Sequence, residues 1–319
     1  MGTLQVEVGL NAAIVAVGGD APLVLIVPAA EPGEPDGLPF GPFDPLRHRT
    51  FEAGLRTFVG SQAGLSLGYV EQLYTFGDRG RHRAAGDAAP HVVSVGYLAL
   101  ARMEASADPA LAETGAAWRC FYRYFPWEDW RGGRPAVIDA VILPGLLRWA
   151  AMPSPRSEER ASRLRLAFGT GEGASFDEER VLDRYELLYE AGLVEEAVRD
   201  GRFPAVSAEA ELGTPMRFDH RRILATAIAR LRAKLKYRPV IFELLSPTFT
   251  LTELQTVAEA IAGRHIHKQN FRRFVETTQL VEPTGQSSSA TGGRPAALFR
   301  FRQEVLNERP SPGIRFGRA

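Results

Sequence analysis

The chain has 319 residues, of which 45% are hydrophobic, and 38 Lys and Arg balance 38 Asp and Glu. Its length suits two domains with sizeable cores, and its single cysteine, Cys120, excludes an intramolecular disulfide and a cysteine-rich zinc cluster. The neutral total hides two parts of opposite sign: residues 1–216 carry 20 Lys and Arg against 30 Asp and Glu, net −10, while residues 217–302 carry 15 against six, net +9, which suggests a module facing nucleic acid.

In chain order, residues 4–17 and 23–27 read as strands. The apolar runs 12–17 and 23–30 are broken by Gly18, Gly19, Asp20 and Pro22. Neither reaches the ~18–20 residues that span a bilayer, so a soluble cytoplasmic protein is expected. Residues 41–45, 50–62 and Ala63-Gly64-Leu65 have the outline of loop, helix and turn. Tyr69-Val-Glu-Gln-Leu-Tyr-Thr-Phe and His91-Val-Val-Ser-Val-Gly-Tyr-Leu-Ala-Leu read as further strands, with Asp78-Arg-Gly-Arg-His-Arg in the loop between them. Residues 103–115 and 131–135 look like loops around an aromatic segment, 118–130, that holds three Trp and four Phe or Tyr. That density predicts a core or dimer-interface role, and Cys120 reads as a small apolar residue within it. Residues 177–200 form an acidic helical stretch in which Leu182, Leu187, Leu188 and Leu193 are spaced for packing.

The basic part has more pattern. Over residues 218–236, Ile223, Ala227, Ile228 and Leu231 share a stripe with Arg221, Arg222, Arg230 and Arg232 largely off it, which predicts an amphipathic helix with a cationic last turn. Pro239 then opens a short apolar helix over 240–245. Thr250-Leu-Thr-Glu is a capping box; Leu251, Leu254, Ala258 and Ile261 form the apolar face behind it, and Gly263 ends the helix. Residues 264–266 lead to another helix, where Phe271, Phe274, Val275 and Thr278 fall within about 100° of one another. Its opposite face carries Gln269, Arg272, Arg273, Glu276 and Thr277, flanked by Lys268 and Asn270. A solvated surface helix could look the same, but the segments that follow favour base reading. They are Leu280-Val-Glu-Pro, a Gly/Ser/Thr stretch over 284–293, and Arg294-Pro-Ala-Ala-Leu-Phe-Arg-Phe-Arg, whose alternation predicts a half-buried strand with Phe299 and Phe301 inward. Helix–turn–helix followed by a hairpin with a flexible tip is a winged helix. Candidate DNA-contacting residues are therefore Lys268, Gln269, Asn270, Arg272, Arg273 and Arg294. The Arg and Gln side chains suit base edges, while Lys268 and Arg294 suit phosphate.

The words Phe218-Asp-His, Phe242-Glu-Leu-Leu, Phe249-Thr-Leu-Thr-Glu-Leu-Gln, Asn270-Phe-Arg-Arg and Gly293-Arg-Pro-Ala-Ala-Leu-Phe-Arg-Phe carry a family resemblance. Residues 218–301 resemble the C-terminal domain of the Nudix-related transcriptional regulators of NAD metabolism, whose N-terminal domain is Nudix-like. The two strands at 69 and 91 also look like the corresponding segments of Nudix regulators and ADP-ribose pyrophosphatases. Nudix hydrolysis requires Arg-Glu-x-x-Glu-Glu on one helix, because its carboxylates hold divalent metal against a diphosphate. Aligned back from Gly64-Leu65, the chain has Thr57-Phe58 and Ser61-Gln62 at those places; shifted by one, it has Arg56-Thr57 and Gly60-Ser61. Only Glu52 remains on that helix, and one carboxylate is no metal cage. The resemblance implies instead that Arg79, Arg81, His82 and Arg83 contact a phosphorylated effector.

The expected fold class is α+β, a Nudix-like α/β/α sandwich followed by a winged helix-turn-helix. Residues 1–150 would form the sensor domain, 151–216 a helical extension or connector, 217–303 the DNA-binding domain and 304–319 a disordered tail. By resemblance, the chain is expected to be a homodimeric repressor of NAD biosynthesis or salvage genes. It would bind a double-stranded DNA operator and respond to ADP-ribose or another NAD-related nucleotide, without cofactor, metal or catalysis. The alternative is a Nudix hydrolase of nucleoside-diphosphate compounds such as ADP-ribose; a plain protein-interaction module is a third reading.

Overall fold

A computed structural model describes residues 6–29, 33–78, 91–103, 109–171, 173, 175–203, 212–288 and 295–305. In chain order its elements begin with β1 (Val6–Gly18), β2 (Ala21–Ile26), β3 (Phe40–Pro42), α1 (Phe51–Ala63), β4 (Val70–Phe76), β5 (His91–Leu100), α2 (Pro109–Thr114) and β6 (Ala117–Cys120). Helices α3 (Leu143–Ala151), α4 (Ser157–Phe168), α5 (Val181–Glu190), α6 (Glu195–Arg199) and α7 (His220–Leu235) follow. The chain then forms α8 (Leu251–Ala262), α9 (Lys268–Thr278) and a hairpin of β7 (Val281–Ser288) and β8 (Ala296–Phe301).

Alternation along β1 sets the layers, because successive strand residues face opposite ways. Leu10, Ala12 and Ile14 pack with Leu55, Val59 and Ala63 of α1. Ala13, Val15 and Val17 belong to the core on the other face. β1 is flanked by β5, its parallel neighbour, and by antiparallel β2, in the order β4-β5-β1-β2-β6, with β3 also on β1. Buried on both faces, β1 has lost the polar alternation of a surface strand, as a central strand should. α7 covers the second face: Ile223 lies over Gly96 of β5, where a Cβ would meet both Ile223 and Phe76. Helices therefore stand on both sides of the sheet, as expected of the sandwich.

The aromatic segment is core. Phe121, Tyr122, Tyr124, Phe125 and Trp127 are buried, and their cluster runs without a break from the sheet through α5 and α7 to α8 and α9. Within it lies a charge cluster that the amphipathic pattern does not reveal. Arg221 and Arg232, largely off the apolar stripe, are nonetheless buried, 1% and 2% exposed. Glu128, itself 1% exposed, receives Arg184 Nε at 2.5 Å and Nη2 at 2.9 Å on its two oxygens, and Arg232 Nη1 at 2.6 Å. The remaining donors of Arg184 reach Ala167 O and Asp177 O at 2.8 Å. Arg232 also donates to Ile261 O at 2.9 Å, in the last turn of α8. Burial works to raise the Glu128 pKa, but the two guanidinium groups override it and hold the carboxyl below its ordinary range.

A second buried pair, Arg221 with Glu196 at 3.1 Å, ties α7 to α6. No helix among the described residues is long and apolar enough to cross a membrane. Of the expected tail, Glu304 is exposed and Val305 fully buried against the core; residues 306–319 lie outside the described residues.

Replacing Glu128 by Gln leaves two buried guanidinium groups without a counter-charge and should cost about 3–5 kcal/mol of unfolding free energy. Because the native pKa is depressed, this contribution is complete above the ordinary glutamate range and is lost as pH falls through the native value. Denaturant titrations should therefore show a gap between wild type and Glu128→Gln that is full at neutral pH and closes in acid. A gap that stays constant into acid would mean that the charge on Glu128 contributes nothing.

Candidate nucleic-acid interface

Thr250 starts α8 with both capping-box bonds: its hydroxyl accepts from Glu253 N at 3.1 Å, and Glu253 accepts from Thr250 N at 2.6 Å. Gly263 ends it at φ 74°, and a Cβ there would collide with the Glu128 carbonyl, Tyr122 and Arg232. Only glycine satisfies both demands. The helix end is stitched to the aromatic segment by Tyr122 OH to Ala260 O at 2.8 Å and Trp130 N to Gly263 O at 2.7 Å.

The turn into α9 is held by Glu259. Its carboxylate accepts from Ile266 N at 2.9 Å, from Gln255 Nε2 at 2.8 Å, and meets His265 Nδ1 at 2.9 Å. Burial pushes the Glu259 pKa up, but these hydrogen bonds outweigh it and keep the carboxyl low. Nothing in the sequence pattern singled out Glu259, although its i+4 spacing from Gln255 is a readable signal.

From this turn α9 buries Phe271 and Val275, with Phe274 half-buried beside them. Lys268, Gln269, Asn270, Arg272, Arg273 and Glu276 are all exposed. Five candidate contacts therefore share one short helix on its solvent side. The sixth, Arg294, lies outside the described residues.

Antiparallel β7 and β8 follow, with a register shift between Pro283 and Ser287. β7 takes in residues 284–288 of the Gly/Ser/Thr stretch expected to be loop, with Gly285 at φ 78° inside the irregularity. Cross-strand pairing overrides the weak strand propensity of those residues. Phe299 exchanges backbone hydrogen bonds with Phe249 at 2.8 and 2.9 Å, adding a third strand position to the hairpin. Phe301 stacks on Phe242 at 4.4 Å, and Arg300 faces solvent with Glu282 at 2.6 Å. The expected alternation of inward Phe299 and Phe301 with outward Arg holds at Arg300, which is exposed, but not at Arg302, which is half-buried.

Much of the positive charge of residues 217–302 is internal. Arg222 meets Asp78 and Glu186, Arg230 and Lys234 meet Glu71, and Lys236 and Arg264 meet Glu178. Lys268, Arg272 and Arg273 are different: exposed, and in no ion pair among the described residues.

On α1, Thr50 caps the N-terminus by accepting from Ala53 N at 3.1 Å, and Gly64 closes the helix at φ 65°. Glu52 is exposed and paired with Arg56 at 2.8 Å. Gln62 bonds Phe40 N at 3.1 Å and Phe40 O at 2.6 Å, tying α1 to β3. Arg79, Arg81, His82 and Arg83 lie outside the described residues; Asp78, just before them, is bound to Arg222 of α7.

A layered Nudix-like sandwich bearing a winged helix is thus the class of protein these elements define. Residues 241–301 match the family model of the NrtR DNA-binding winged helix domain. A curated relative from Acinetobacter baylyi, described as an ADPR responsive transcriptional repressor, NtrR, is 44% identical over 96 residues, 30% of this chain. That match spans 38% of the relative's length. Over nearly the whole chain the fold resembles the crystal structure of Shewanella oneidensis NrtR complexed with a 27mer DNA, at 21% identity, TM-score 0.55 and 96% coverage of both chains. It also resembles a MutT/nudix family protein from Enterococcus faecalis, at 17% identity and TM-score 0.53, over 94% of this chain and 89% of that one.

Packing and surface chemistry on α9 should separate cleanly. Phe271→Ala removes a side chain 2% exposed and should cost about 3–5 kcal/mol by denaturant unfolding, the range for a buried aromatic. Arg272→Ala should stay within about 0.5 kcal/mol of wild type. A large loss for Arg272→Ala would mean that this face is packed and not free.

Proposed function

We propose that this chain is a transcriptional repressor that reads double-stranded DNA with α9 and senses a nucleotide of the ADP-ribose kind in its Nudix-like part without hydrolysing it. The observation that carries this reading is the exposed Gln269/Arg272/Arg273 face of α9, set on a buried Phe271/Val275 back in a winged-helix frame. Burying the back aims planar, multidentate side chains outward, the chemistry that guanine and adenine edges require. Lys268 at the start of the helix and Arg294 in the hairpin sequence suit phosphate, which positions a protein without reading sequence. The description of the Acinetobacter baylyi relative supports both repression and ADP-ribose as effector. By family resemblance the genes controlled are those of NAD biosynthesis or salvage, and a homodimer supplies two half-sites.

Silence of the Nudix part rests on Thr57, Phe58, Gly60, Ser61 and Gln62, none of which can supply a metal carboxylate. The proposed effector contacts remain Arg79, Arg81, His82 and Arg83. α7 is suited to couple the two parts: Arg222 pairs with Asp78 beside that basic run, while Arg232 donates to the last turn of α8. An effector alters DNA affinity only if it prefers one arrangement of these elements over another.

Sequencing the DNA fragments that the purified protein retains should return an operator. On it, Arg272→Ala or Arg273→Ala should weaken binding by about 1–3 kcal/mol and relax base preference. Lys268→Ala should weaken all sequences alike and flatten the salt dependence by about one unit of slope. If both arginine variants and Gln269→Ala keep full operator affinity in a folded protein, α9 is not the reader. In the enzymatic test, ADP-ribose with Mg²⁺ or Mn²⁺ should yield no AMP above the no-enzyme control. Turnover abolished by Glu52→Gln would instead assign the chain to the hydrolases.

A further inference from the structure

Gln269, Arg272, Arg273 and Glu276 stand at i, i+3, i+4 and i+7 of α9, a single stripe on the solvent side of the helix. Glu276 does not fit a structural explanation. It is exposed, and it forms no ion pair among the described residues, although Arg272 and Arg273 are one helical turn away. Its place in the last turn of α9 sets a negative charge against the negative end of the helix dipole. On a surface that meets a polyanion it also repels phosphate. Neither helix stability nor general DNA affinity accounts for a carboxylate here.

We propose that Glu276 reads a base, accepting a hydrogen bond from the exocyclic amine of a cytosine and thereby requiring a C·G pair in the operator. Cytosine N4 is the donor that a carboxylate recognises in the major groove; guanine and thymine offer only acceptors at their edges, and the N6 amine of adenine sits beside an N7 acceptor that repels a carboxylate. The rise of about 1.5 Å per residue sets Glu276 roughly 4.5–6 Å along the axis from the two arginines. With base steps of about 3.4 Å, the C·G position should fall within about two base pairs of those that depend on Arg272 and Arg273. This inference rests on α9 being the DNA reader.

The test is selection from randomised duplex DNA by the full chain as wild type, Glu276→Gln, Glu276→Ala and Arg273→Ala, with thermal unfolding of each to establish folding. Wild type should favour C·G at one position by about tenfold, within the discrimination expected of one good base contact. Both Glu276 variants should lose that preference alone and keep the others. Both should bind random-sequence DNA about threefold more tightly, the effect of removing one charge about 7 Å from a phosphate in water. A wild type whose preferences respond to Arg273→Ala but are untouched by both Glu276 variants overturns this inference and leaves α9 as the reader. A wild type that selects no sequence overturns the DNA reading and this inference together.

Discussion

The ionised Glu128 between Arg184 and Arg232 is the contact on which the arrangement of the rest depends. Three charged side chains, each 2% exposed or less, are acceptable in an apolar core only if every donor finds an acceptor. Here the leftover donors reach backbone carbonyls at the end of α4, before α5 and at the end of α8. The cluster therefore constrains the chain far beyond its three members: α5, α7, the aromatic segment and α8 must all arrive together for the charges to be satisfied. Such a cluster contributes less net stability than well-packed apolar side chains would, but it tolerates few alternative packings.

Its consequence is that the sandwich and the winged helix are not two beads on a string. α7 lies on the sheet through Ile223 and grips α8 through Arg232, so one helix serves both parts. The opposite net charges of the acidic and basic regions follow from the same arrangement. Arginines and lysines of α7, with Lys236 just after it, are the counter-ions of Glu71, Glu128, Glu178, Glu186 and Glu196, acids supplied by earlier segments. The charge asymmetry is mostly the trace of these internal pairs.

The exposed cations of α9 are set by its packing. Lys268, Arg272 and Arg273 are held outward because Phe271 and Val275 are held inward, and because Glu259 fixes the turn from which α9 departs. On the other side of the sheet, Gln62 on α1 binds the backbone of β3 and so ties the helix to that strand.

The sequence alone determined the elements whose signals are local. The capping box at Thr250, the stop at Gly263, the apolar and polar faces of α9, and the Phe299/Phe301 alternation all reside within a few residues of one another, so backbone geometry and periodicity suffice to read them. The density of aromatics in residues 118–130 likewise foretold a core. Only the tertiary structure decided how Arg221 and Arg232 are used. Their off-stripe positions on α7 predict exposure, because a helix pattern records hydrophobicity and not the location of a carboxylate; Glu196 and Glu128 come to them from segments 25 and 104 residues distant. β7 was underestimated for the same reason, since pairing with β8 and not the propensity of Thr284, Gly285 and Ser287 makes it a strand. Interactions between neighbours in the chain are written in the sequence, whereas a buried charge is explained only by the distant residue that neutralises it.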